Sequence, residues 1–123
     1  MTRETLDTSV ILRYLLRDDQ EQYERARKLL GRKGVVFHVA DVVFVEIAEV
    51  LERLYQFERV AVVEYLRLVL DMKNVNCNRG MLVEAISKYE RSLKLTFADC
   101  CVLEYARLNE AEPVWSFDRK FAR

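Results

Sequence analysis

The sequence predicts an α/β fold: a three-layer α/β/α sandwich around a parallel sheet of about four strands, with residues 1–123 forming a single domain. Three observations carry the prediction. Short β-branched runs alternate with pairs of stretches at helical periodicity, beginning and ending on a strand. Only 3 Gly and 1 Pro interrupt the 123 residues, so the connections are short. That length suffices for one substantial core but not for two.

Leu6 begins a short apolar, strand-like start that Asp7-Thr8-Ser9 ends, after which Val10, Ile11, Tyr14 and Leu15 follow at helical spacing. Arg17-Asp18-Asp19-Gln20 is a polar break. Asp18 or Asp19 supplies the cap of a second helix, whose stripe is Tyr23, Ala26, Leu29 and Leu30 and whose end Gly31 and Gly34 bracket. Val35-Val36-Phe37-His38-Val39 is a short buried strand, and Asp41 suits the N-cap of a helix running to about Tyr55. A further helix from about Val60 to Met72 buries Val62, Val63, Leu66, Val69 and Leu70. Val75-Asn76-Cys77 is again strand-like, and Asn78 caps a helix through Ile86 and Tyr89 to Leu93. Asp99 falls in the first turn of a helix ending near Asn109. Pro113-Val114-Trp115-Ser116 reads as the last strand, and Asp118-Arg119-Lys120-Phe121 as a turn or short terminal helix.

The bulk composition narrows the function classes. Apolar residues make up 51% and charged residues 33%, as in an ordinary globular protein. No apolar run approaches the ~18 residues of a membrane span and no signal-peptide pattern opens the chain, so the expectation is a cytoplasmic protein with no membrane role. Cys77, Cys100 and Cys101 lack the spacing of a zinc or disulfide pair and read as reduced, buried small residues. The 20 basic and 20 acidic residues balance, which argues against non-specific adhesion to nucleic acid.

Four acids stand out: Asp7, Glu46, Asp99 and Asp118 each interrupt or cap an apolar segment. A carboxylate near an apolar core must protonate, pair or bind a cation. Each also has a plainer reading. Asp7 reads as an N-cap before Val10-Ile11-Leu12, Asp99 as a partner of its helix dipole, and Asp118 as a turn residue. Glu46 shares a helix face with Val42, Val43 and Val50, where it needs either a structural ion pair or a functional site. Ser9 and Ser116, each two residues from an acid, either orient those carboxylates or cap local backbone. His38, the single histidine, reads as a satisfied core or edge residue.

In parallel α/β sheets ligands gather at the carboxyl ends of the strands, and all four acids fall where they can converge on one such edge. Two carboxylates ~4 Å apart repel by roughly 4 kcal/mol at an effective dielectric of about 20, so a cluster of four calls for cations. With those four withdrawn, 16 acidic residues face 20 basic ones, a surface that permits a polyanionic substrate.

Taken in order, Leu6-Asp7-Thr8-Ser9-Val10-Ile11-Leu12-Arg13-Tyr14-Leu15-Leu16, Val45-Glu46-Ile47-Ala48-Glu49-Val50-Leu51, Phe97-Ala98-Asp99 and Val114-Trp115-Ser116-Phe117-Asp118-Arg119-Lys120-Phe121 resemble the PIN-domain family of metal-dependent ribonucleases, above all the VapC-type toxins. The likeness covers nearly the whole chain, and its strength lies in the order and spacing of the four stretches. It implies a PIN-like sandwich in which Asp7, Glu46, Asp99 and Asp118 form an acidic site for Mg²⁺ or Mn²⁺, with Ser116 nearby. It also implies an RNA substrate, a cognate antitoxin protein that places an extended segment in the pocket, and a homodimer. Two departures bear on the site: Ser9 stands where many relatives carry Asn, and Thr96 where some add an acid.

Hard oxygen donors suit these ions, which retain waters and so leave room for a phosphodiester oxygen and a nucleophilic water. Arg13, Arg119, Lys120 and Arg123 are the candidate phosphate contacts, or else solvated surface charges. The helices over residues 10–30 and 42–72, with Tyr14, Tyr23, Tyr55, Phe57 and Tyr65, suit a partner groove and a dimer contact. A non-catalytic PIN-like module that binds RNA or protein is the alternative, disfavoured because such a module has no need of four repelling acids. An aspartyl-phosphate receiver, suggested by Asp7 at a strand end, lacks a second acid at position 9 and a clearly placed lysine.

Overall fold

The structure, a computed structural model, describes residues 1–121. It has an α/β architecture with a parallel sheet, divided into two compact units, Met1–Cys77 and the segment from Asn78 onward.

The first unit holds the strands β1 (Thr2–Thr5), β2 (Val35–His38) and β3 (Val75–Asn76), with the helix pair α1 (Thr8–Leu16) and α2 (Gln20–Leu30) and the pair α3 (Asp41–Arg53) and α4 (Arg59–Leu70) as crossovers. The sheet order is β1-β2-β3, all parallel, with Thr2 opposite Val35 and Phe37 opposite Val75. The first strand precedes Leu6 rather than starting at it. Its Thr-Arg-Glu-Thr sequence lies at an edge and is mostly exposed, so no apolar alternation announces it.

Each helix buries the face that its spacing dictates. In α1, Thr8, Ile11 and Leu12 are buried, and in α3 the buried stripe is Val43, Phe44, Ile47, Ala48 and Leu51. Helix α1 packs on both α2 and α3, and α3 on α4. Asp19 is the cap of α2, accepting the Gln22 N–H at 3.1 Å. Asp41 is not a cap: Ala40 holds that position and Asp41 opens the first turn, where its charge meets the helix dipole. Tyr14 stacks on Tyr23 and Phe57 on Tyr65, so these half-buried rings first contact one another.

In the second unit α5 (Arg79–Arg91) packs on α6 (Phe97–Leu108), and a single 3-10 turn follows at Arg119–Phe121. Met81, Leu82, Ala85, Ile86 and Tyr89 form the buried stripe of α5, and Tyr89 meets Phe97 edge-on with ring centroids 5.8 Å apart. Glu104 is buried with them at 3% exposure. It accepts from Arg107 Nε at 3.0 Å and Arg107 Nη2 at 2.9 Å, with Lys88 Nζ at 3.5 Å, the pairing that a buried charge requires.

The expected fourth strand at Pro113–Ser116 is absent among the described residues, and the sheet has three strands. Trp115 is 91% exposed, so its apolar surface provides no burial to stabilise a strand, and Pro113 has no N–H for a ladder. The cysteines form no disulfide, but only Cys100 is buried; Cys77 and Cys101 are half exposed. Among the described residues no helix is long and apolar enough to cross a membrane.

Candidate functional site

The acids of the first unit meet at the amino end of α1. Asp7 occupies the N-cap position, yet its side chain makes no bond to the helix N–H groups. Its Oδ2 instead accepts the Ser9 hydroxyl at 3.2 Å. Next to it, Thr8 is buried and donates from Oγ1 to Glu46 Oε1 at 2.8 Å, tying the start of α1 to the middle of α3. Thr8 is thus a residue of the site that motif reading passed over. Its signal was its spacing: it continues the buried stripe of Ile11 and Leu12 by one turn, a place where a hydroxyl needs a partner.

Glu46 does not lie in the apolar face expected of it. It is exposed, as is Val42 one turn before, because the buried stripe of α3 follows Val43, Phe44 and Ile47. Asp7 and Asp118 are exposed as well, so of the four acids only Asp99 is partly buried. Their proximity to apolar segments along the chain therefore did not translate into buried charge.

A groove of about 420 Å³ opens between α1 and α2, lined by Ser9, Val10, Arg13, Arg25 and Leu29. Arg13, expected at phosphate, is held at 2.9 Å by Asp18, whose other oxygen accepts the Tyr55 hydroxyl at 2.7 Å. Arg25 is exposed on the same groove and went unremarked in the sequence. His38 is not satisfied as expected: its Nε2 is buried with no hydrogen-bond partner.

The acids of the second unit are arranged around a cation. Asp99 and Thr96 form a capping box at the start of α6, with Asp99 Oδ2 accepting the Thr96 N–H at 2.9 Å and the Asp99 N–H bonding Thr96 Oγ1 at 3.0 Å. Asp118 caps the 3-10 turn: its Oδ1 accepts the Lys120 N–H at 3.0 Å, while its own N–H donates to Ser116 Oγ at 2.9 Å. The Lys120 ammonium lies 3.0 Å from Asp99 Oδ2 and 3.3 Å from Asp118 Oδ2.

Burial pushes the Asp99 carboxyl up, but the Thr96 N–H, Lys120 and the Thr96 side chain outweigh it and hold it below its ordinary value. Lys120 is raised in turn, chiefly by its bond to Asp99. Arg119 is exposed, and Arg123 lies outside the described residues.

Among the described residues no group of three or more His, Cys, Asp or Glu side chains is gathered as a metal site. The donor chemistry nevertheless fits a hard cation: Asp99 and Asp118 already direct one oxygen each at a single positive charge. Hydroxyl donors hold Asp7 and Glu46, leaving both carboxylates with spare lone pairs.

Comparison with known proteins gives two findings. A family model described as PIN domain matches residues 5–123. Over 121 residues the chain is 30% identical to a VapC ribonuclease of Aquifex aeolicus (strain VF5), covering 96% of this chain and 89% of that protein.

Proposed function

The chain belongs to the PIN-domain family, and from that premise we propose that it is an endoribonuclease dependent on Mg²⁺ or Mn²⁺, the toxin of a toxin–antitoxin pair. The observation that carries this reading is the pairing of Asp99 and Asp118 on one cationic centre, in a chain whose matched family spans residues 5–123. Asp7, Glu46, Asp99 and Asp118 would hold the metal. When bound, the ion neutralises charge on the scissile phosphodiester and lowers the pKa of a water.

The chain's own residues supply orientation and binding. Thr8 fixes the rotamer of Glu46, and Ser9 that of Asp7, so neither acid has to be ordered when RNA arrives. The Lys120 N–H of the 3-10 turn does the same for Asp118, whose backbone N–H Ser116 Oγ accepts. Arg25 and Arg119 are exposed and can each attract a polyanion, and Arg13, beside Arg25 in the α1–α2 groove, can do so at the cost of its bond to Asp18. A cognate antitoxin would compete by placing a basic side chain among the acids, and a homodimer would cover part of the exposed apolar surface.

The test is incubation of purified protein with structured RNAs in Mg²⁺ or in EDTA, repeated with Asp7→Asn. Cleavage that both EDTA and the substitution abolish is expected. Cleavage unaffected by either would remove the mechanism, and RNA binding without cleavage under any metal would favour the non-catalytic module.

A further inference from the structure

The Lys120 ammonium bridges two of the four acids, at 3.0 Å from Asp99 and 3.3 Å from Asp118. We propose that it is a built-in counter-ion that keeps the Asp99–Asp118 pair poised and must be displaced before a divalent ion binds there; this rests on the metal-site reading above. Lys120 is thus a positioning residue that sets the threshold of metal concentration at which the protein loads.

Three features of the geometry support the role. First, the charges do not close: two carboxylates against one ammonium leave a residual negative charge, so a divalent ion remains attracted. Second, each acid is anchored independently of the ammonium. Asp99 is held by the capping box with Thr96, and the Asp118 carboxylate by the backbone N–H of Lys120 at its Oδ1. Removing the ammonium therefore leaves the oxygens in place to receive another cation.

Third, the displaced group has somewhere to go. The Lys120 side chain lines a cavity of about 280 Å³ within the second unit, together with Glu104, Glu112, Arg107 and Lys88. Glu104 is already paired, but Glu112 is an exposed acceptor on the same wall. Lysine suits the exchange because its ammonium is a point charge on a flexible stem rather than a fixed planar fork.

Calorimetric titration of Mn²⁺ into the wild-type protein, Lys120→Met and Asp99→Asn tests this directly. Lys120→Met should bind Mn²⁺ roughly three- to tenfold more tightly, the range that one or two exposed ion pairs command. A second measurement needs no variant at Lys120: saturating Mn²⁺ should raise the rate at which an amine-acetylating reagent modifies Lys120 in the wild-type protein, read by mass spectrometry. Equal or weaker Mn²⁺ binding by Lys120→Met, or Lys120 labelling indifferent to Mn²⁺, overturns the proposal. If Asp99→Asn abolishes Mn²⁺ binding while Lys120→Met leaves it unchanged, the counter-ion role fails and the metal site stands. If Asp99→Asn leaves Mn²⁺ binding intact, both fail.

Discussion

The two units hold their acids in opposite ways. In the first, hydroxyls do it: Thr8 donates to Glu46 and Ser9 to Asp7, while Arg13 of the same helix is held by Asp18, which also accepts the Tyr55 hydroxyl. In the second, a full positive charge, Lys120, lies on both acids. A hydroxyl orients a carboxylate without neutralising it, whereas an ammonium does both. The first pair therefore keeps its whole demand for a cation, and the second has part of that demand met from within the chain.

Whether the two units are energetically one domain sets the scale for everything else. Ile47 in α3 and Ile86 in α5 are both buried to 1% exposure or less. Ile47→Ala and Ile86→Ala should each cost about 2–5 kcal/mol in chemical denaturation, with a single unfolding transition in both variants. Two separated transitions would show that a chain of 123 residues here forms two cores. Next in size is Thr8→Val, which removes the hydroxyl and keeps the shape. It should weaken Mn²⁺ binding about tenfold, as loss of a group that orients a metal-binding carboxylate does, with little change in melting temperature. An unchanged affinity would mean that Thr8 serves packing alone.

Thr96→Ala should lower stability by about 1 kcal/mol through loss of the α6 cap. Smallest is Tyr55→Phe, which acts on Asp18. The Tyr55 hydroxyl is the largest influence holding the Asp18 carboxyl below its ordinary value, ahead of the opposing effect of burial and the help of Arg13. A carboxylate depressed in the folded state contributes stability above its unfolded value, and loses it as pH falls from about 4 through the folded value. Tyr55→Phe should therefore move the Asp18 titration upward by NMR and flatten the loss of stability below about pH 4. A titration that does not move would assign the depression to Arg13 instead.

The helices were legible because burial on one side imposes a 3.6-residue period. Val62, Val63, Leu66, Val69 and Leu70 mark the core face of α4 in the sequence as in the structure. The capping box of α6 was half legible, since Asp99 was placed in the first turn without Thr96 as its partner. The first strand was misplaced and the last was illusory for a shared reason. An edge strand of polar residues lacks apolar alternation, and the Val114-Trp115 stretch, with Trp115 exposed, mimics it.

The site was legible as a set of residue types but not as an environment. Thr8 and Glu46 are 38 positions apart, and only the packing of α1 on α3 reveals the bond between them. Lys120, two residues from Asp118, reads in the sequence as a candidate phosphate contact or a solvated charge, and nothing local discloses that Asp99 shares its ammonium.

The proposed function has Asp7, Glu46, Asp99 and Asp118 serve one cation. Calorimetric titration of Mn²⁺ into Asp7→Asn, Asp99→Asn and the double variant tests it most directly. Each single substitution should weaken binding by about a hundredfold or more, and the double should be scarcely worse than either, the non-additivity expected of ligands to one ion. Losses that simply add, or an Asp7→Asn variant that binds Mn²⁺ like the wild type, would contradict it.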